Sequence, residues 1–181
     1  MINPYEKCPV FETKHFTLRL VSESDIEDLL VCYSDPKTQA ILDTQNFAKN
    51  LHCSTAHEMA RYVRFWLEEY CNKMYVRFAI VDRKIQKAIG TVEMFSTKGF
   101  FPDCDGGILR IDLASPYETE EYLSELLQLA NDNFFEIFGA EMIITKGRPG
   151  ETARLAALSS AGYKPYNCKT REHYMMKRRG K

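Results

Sequence analysis

The stretch Ile108-Leu109-Arg110-Ile111-Asp112-Leu113-Ala114-Ser115-Pro116-Tyr117-Glu118-Thr119-Glu120-Glu121-Tyr122-Leu123 contains the change of period that decides the fold. Its first six residues are apolar except for Arg110 and Asp112, which fall on one face of an extended chain at i and i+2 and can pair with each other. Ser115-Pro116 breaks that strand, because proline has no N–H for a ladder. From about Glu118 the spacing becomes helical. Tyr122, Leu126, Leu129, Phe134 and Ile137 form a stripe that predicts a helix to about Phe138, with Gly139 as its left-handed end. A central strand therefore feeds directly into a helix whose first turn is acidic.

Upstream, Val76 to Val81 and Ala88 to Phe95 read as two strands joined by the polar segment 82–87, an antiparallel hairpin. Before them, Phe16-Thr17-Leu18-Arg19-Leu20 alternates like a half-buried strand. Ser22 then precedes a helix with the stripe Ile26, Leu29, Leu30 and Tyr33, ended by Asp35-Pro36. Ser54-Thr55 caps a second helix carrying Met59, Tyr62, Val63, Trp66, Leu67 and Tyr70. The segments 37–53 and 99–107 read as irregular connections. Downstream come a short buried strand, Met142 to Thr145, a helix from Glu151 to Ala161 closed by Gly162, and a last strand at His173 to Lys177, with another possible near 164–168. The order β-α-α-β-β-β-α-β-α-β predicts an α/β chain with a mixed sheet covered by helices.

The chain has 181 residues, of which 45% are hydrophobic and 27% charged, enough for one domain with its own core. Residues 1–181 are expected to form that domain, with 1–15 as an N-terminal extension and 178–181 as a basic tail. The net charge of −1 excludes the basic field that nucleic acid or an anionic membrane would call for. No signal-like or membrane-length apolar run is present, and the six scattered cysteines show no C-x-x-C spacing, so they read as free thiols in a cytoplasmic protein. His52, Cys53 and His57 match no zinc spacing, and no metal is expected.

Thr17-Leu18-Arg19-Leu20, Glu23-Ser24-Asp25, Tyr33-Ser34-Asp35-Pro36, Phe78-Ala79-Ile80-Val81, Ile89-Gly90-Thr91-Val92 and Leu158-Ser159-Ser160-Ala161-Gly162-Tyr163 follow one another in a telling order. Over about residues 16–178 the chain resembles the GNAT N-acetyltransferases, especially their ribosomal-protein acetyltransferase-like branch. The resemblance implies a central, mostly antiparallel sheet flanked by helices, with the family's fourth and fifth strands splayed apart. It also implies an acetyl-CoA or other acyl-CoA donor and an amine acceptor on a small molecule or peptide, and it is compatible with a homodimer. On that template the backbone of Ile111, Leu113 and Ala114 lies along the pantetheine arm. The diphosphate meets Thr119, Glu121 and Tyr122 at the helix start, where free N–H groups and the dipole favour an anion.

The chain departs from the family at that point. Thr119 and Glu121 stand at the family's glycine positions, Leu123 at its small third position, and Glu118, Glu120 and Glu121 bring negative charge. One ill-placed carboxylate at about 4 Å from a phosphate costs roughly 4 kcal/mol at an effective dielectric of 20. Arg148 and Arg154 are the cations that could offset it. The family's usual base and acid positions hold Ile108 and Leu158, which leaves Glu93 and Asp112 as the catalytic carboxylates. Three functions remain open from sequence: an acyl-CoA-dependent N-acetyltransferase; a transferase that uses a different acyl donor, or one held mainly by its pantetheine arm, with Arg148 and Arg154 supplying charge; and a catalytically degenerate GNAT-fold binding or regulatory protein.

Overall fold

A computed structural model describes residues 3–42, 51, 53–97, 105–166 and 172–180. Among the described residues the strands β1 (Phe11–Glu12), β2 (Phe16–Leu20), β3 (Val76–Asp82), β4 (Lys87–Thr97), β5 (Gly106–Leu113), β6 (Met142–Lys146), β7 (Lys164–Pro165) and β8 (Tyr174–Arg178) form one mixed eight-stranded sheet in the order β1-β2-β3-β4-β5-β6-β8-β7, and helices accompany it. The chain divides into two compact units, Ile2–Glu93 with Ile111–Tyr117, and Met94–Arg110 with Glu118–Lys181.

In the first unit, β1 (Phe11–Glu12) pairs antiparallel with β2 (Phe16–Leu20), and β2 pairs antiparallel with β3 (Val76–Asp82) from Phe16↔Asp82 to Leu20↔Phe78. Helix α1 (Ile26–Ser34) begins where Asp25 accepts from the Ser22 N–H and from Arg19. Thr55 caps α3 (Ala56–Cys71) by accepting from the Glu58 N–H, and the Glu58 carboxylate reaches back to the N–H groups of Ser54 and Thr55. The predicted stripes of both helices face inward. Leu29, Cys32, Tyr33, Met59, Val63 and Trp66 form one core cluster with Ala79 and Val81.

In the second unit, the parallel ladder between β5 (Gly106–Leu113) and β6 (Met142–Lys146) runs from Gly106↔Met142 to Ile108↔Ile144, while β5 continues to Leu113. Strand β8 (Tyr174–Arg178) pairs antiparallel with β6 and with the two-residue β7 (Lys164–Pro165). Helix α4 (Glu120–Ile137) ends at Gly139, whose φ of +62° is the left-handed end that its sequence predicts. Helix α5 (Thr152–Ser160) follows β6.

Three local expectations change. Pro36–Leu42 forms a helix, α2, instead of an irregular connection. It starts at a proline, which suits a first helical turn, and the Lys37 N–H bonds to Asp35. The rest of the expected loop falls at 43–50 and 52, outside the described residues. Gly106 and Gly107 belong to β5 rather than to a turn, and the missing side chain at Gly107 leaves room for Met94, whose Cε a Cβ there would meet at 2.1 Å. Arg178 closes β8, and the Arg179 N–H donates to the Glu141 carbonyl, so the basic end begins inside the sheet. Among the described residues no helix is long and apolar enough to cross a membrane.

Candidate active site

Arg77 is the second residue of β3, on the same face as Ala79 and Val81, which turns it toward the helices of the first unit. Its guanidinium is stacked 4.2 Å from the Trp66 ring. Nη1 donates to Thr91 Oγ1 at 3.0 Å and lies 3.4 Å from Asp112 Oδ2, while Nη2 pairs with Glu93 on β4 (Lys87–Thr97). Tyr33 Oη donates to Asp112 at 2.8 Å and shares a second 2.8 Å hydrogen bond with Thr91. Burial opposes the charge on Arg77, but Glu93, and after it Tyr33 and Asp112, hold its pKa above the ordinary guanidinium value.

One cation thus binds two carboxyl groups that differ in access. The Asp112 side chain is 0% exposed and that of Arg77 3%, whereas Glu93 is 12% exposed. Both catalytic candidates from sequence are brought together here, where Asp112 meets Tyr33 and Arg77, which comes from another strand. Sequence reasoning missed Arg77, Tyr33 and Thr91. A signal existed: an arginine inside the apolar run Val76–Val81, with a glutamate at a matching depth in the next strand.

Along the end of β5, Ile111 and Leu113 are buried and Ala114 is half-buried. The Ala114 N–H donates to the Ile89 carbonyl at 2.8 Å, and the Leu113 carbonyl accepts from Thr38 Oγ1 at 3.3 Å. A pocket of about 340 Å³ opens beside this segment, lined by Cys32, Asp35, Ile89, Ala114, Pro116 and Tyr117 among others.

In the second unit, Thr119 caps α4, and its side chain accepts from the Tyr122 N–H. Glu120 and Glu121 are exposed in the first turn, where they favour the helix by about 0.3–1 kcal/mol each. Arg154 is not a solvent-facing cation. Its side chain is 3% exposed and donates through Nε and Nη2 to both oxygens of Glu118, at 2.7 and 2.9 Å, with Glu151 3.9 Å away. Glu151 also accepts from the Arg148 N–H at 3.1 Å. Near this loop, burial first and then the charges of Arg148 and Arg110 push the Lys146 ammonium below its ordinary pKa, against the pull of Glu151. The acidic first turn, the side chains of Thr119 and Glu121, and a guanidinium already bound to Glu118 do not fit a diphosphate.

The metal expectation at His52, Cys53 and His57 falls partly outside the described residues, at His52. Cys53 is buried, and burial, with Glu58 second, pushes its thiol up to about 11.

The family model for the acetyltransferase (GNAT) domain matches residues 15–164. No curated protein sequence matches the chain. Among solved structures, a ribosomal L7/L12 alpha-N-protein acetyltransferase in complex with coenzyme A superposes with a TM-score of 0.71 at 12% identity, covering 94% of this chain and 98% of the other. A GNAT-family acetyltransferase from Bacillus anthracis gives 0.69 at 15% identity, with 94% and 99% covered. A ribosomal-protein-S5-alanine acetyltransferase from Vibrio fischeri gives 0.67 at 17% identity, with 94% and 97% covered. At these identities the structures show the shared fold, and the family model carries the assignment. The chain belongs to the GNAT acetyltransferase family and has that family's acyl-CoA-dependent N-acetyltransferase-like character.

Proposed function

We propose that this protein transfers an acetyl group from an acetyl thioester donor to an amine, with Glu93 as the base. The observation that supports this reading is the asymmetry of the buried ion cluster: of its two carboxyl groups, only Glu93 retains contact with solvent. An amine acceptor is largely protonated at neutral pH and must lose a proton before it attacks the thioester carbonyl. A fixed carboxylate can take that proton directly or through one water. Arg77 fixes the carboxylate, and Asp112, Thr91 and Trp66 fix Arg77. Asp112 is therefore a positioning residue in this proposal, because it is 0% exposed and already bonded to Tyr33.

The backbone of Ile111, Leu113 and Ala114 is the proposed contact for the donor's pantetheine arm, with residues 1–181 working as one domain. The acceptor is an amine of a small molecule or of a protein N-terminus. Two proteins that share the fold are named for ribosomal proteins, which supports including such N-termini among the acceptors tested.

The test is to incubate the full chain with isotopically labelled acetyl-CoA and a panel of polyamines, aminoglycosides, amino acids and N-terminal peptides, and to read products by mass spectrometry. Acetylation of at least one amine above the uncatalysed rate is expected. Failure with every acceptor class by a folded protein that binds the donor would overturn the proposal.

A further inference from the structure

We infer that the donor is recognised by its pantetheine arm alone, so that an acyl thioester of pantetheine without the adenosine diphosphate serves nearly as well as the acyl-CoA. This rests on the acyl-transfer reading above and narrows its donor class.

A diphosphate is held at a helix start by uncovered backbone N–H groups and a positive field. At the start of α4 the Tyr122 N–H is bonded to the Thr119 side chain. Thr119 and Glu121 place side chains where close backbone approach calls for glycine. Glu120 and Glu121 project exposed negative charge from the first turn. Arg154, the cation best placed by sequence to compensate, is buried and bound at two points by Glu118, with Glu151 close behind. Glu118 thus acts as an internal anion that satisfies Arg154. Of the other cations of this stretch, Lys146 stands over the Tyr174 ring, with Nζ 5.3 Å from its centre, and Glu151 is already engaged by the Arg148 backbone N–H. Phosphate binding to Arg154 requires breaking a bidentate buried pair, whereas the uncharged pantetheine arm calls for no cation.

The thioester on a pantetheine arm is shared by free acyl-pantetheine and by the phosphopantetheine arm of an acyl carrier protein. Isothermal titration of the full chain with CoA and with pantetheine tests the inference, and turnover with acetyl-CoA, acetyl-pantetheine and acetylated carrier protein separates the two sources. The dissociation constants of CoA and pantetheine are expected within about tenfold of each other, a difference of roughly 1.4 kcal/mol. The surface variant Glu120→Gln/Glu121→Gln should tighten CoA and leave pantetheine unchanged, and Arg148→Ala should leave their ratio unchanged. CoA binding tighter than pantetheine by about 100-fold or more, or selective weakening of CoA by Arg148→Ala, overturns the inference while sparing the acyl-transfer reading. Binding of neither ligand at millimolar concentration overturns both.

Discussion

Arg154 and Glu118 meet through two hydrogen bonds, Nε to Oε1 at 2.7 Å and Nη2 to Oε2 at 2.9 Å, with the side chains only 3% and 12% exposed. A pair so far out of water is costly to break from one side, because the surviving charge stays buried. Arg154→Leu should therefore destabilise the protein by about 3–5 kcal/mol. Glu118→Gln keeps an acceptor for the guanidinium and should cost less, about 1–3 kcal/mol. Urea unfolding of both variants checks this order, and a negligible loss for Arg154→Leu would contradict the structural role of the pair.

Tyr33 places its hydroxyl between Asp112 and Thr91 at 2.8 Å from each, and its ring packs tilted against Trp66 with the centroids 5.8 Å apart. Tyr33→Phe preserves the packing and removes the donor to a carboxyl group that is fully buried. A loss of about 1–3 kcal/mol follows, with the fold retained in circular dichroism. Wild-type stability would mean that the network does not need the hydroxyl.

Two glycines of the sheet should respond differently to alanine. A Cβ at Gly90 would stand 2.1 Å from the Asp112 carbonyl oxygen and 3.0 Å from Leu113 Cα, all backbone atoms that cannot turn aside. At Gly107 the nearest atom is the terminal methyl of Met94, the end of a flexible side chain. Gly90→Ala should reach or exceed the upper end of the roughly 1–3 kcal/mol typical of overpacking, and Gly107→Ala should stay below it. Thermal melts that rank the two variants the other way would contradict this.

Burial works against the charge on Asp82, yet the Tyr117 hydroxyl donating at 2.7 Å, together with the N–H groups of Lys84 and Ile85, holds its carboxyl below the usual 3.8. A depressed carboxyl contributes stability that is present above its unfolded value and lost as the pH falls through its folded value. Tyr117→Phe should move the Asp82 titration upward, toward 3.8, and shrink that acid-dependent contribution. Carbon-detected NMR of the Asp82 carboxyl measures it, and an unmoved midpoint would show that the hydroxyl does not set the shift.

Much of the fold was legible because its helices bury one stripe and its strands alternate. Met59, Val63 and Trp66 in α3, and Leu126, Leu129 and Phe134 in α4, are all buried as their spacing required. The N-cap at Thr55 and the left-handed Gly139 were equally local signals. Strand β1 escaped notice because two residues carry no period, and α2 because seven residues that begin with a proline resemble a loop. In the candidate site, Glu93 and Asp112 were found by chemistry, but what binds them was not. Arg77 comes from a different strand, and Tyr33 lies 79 positions from Asp112. Arg154 and Glu118 lie 36 positions apart, and no periodicity reports a pairing over that distance. The acidic first turn of α4 was visible in sequence, whereas the pairing of Glu118, just before the helix cap, with a buried arginine required the tertiary fold.

The central claim is that Glu93, oriented by Arg77, receives the proton of the acceptor amine. The most direct measurement is kcat/KM for acetyl transfer across pH for the wild type, Glu93→Gln and Asp112→Asn, with unfolding curves to establish that each variant is folded. Glu93→Gln should lose about 100-fold or more in kcat/KM, the smaller end of what a positioned base contributes. Asp112→Asn should lose less, because its carboxyl only helps to hold Arg77. A folded Glu93→Gln variant that transfers acetyl groups at the wild-type rate, with the same pH profile, would contradict the account.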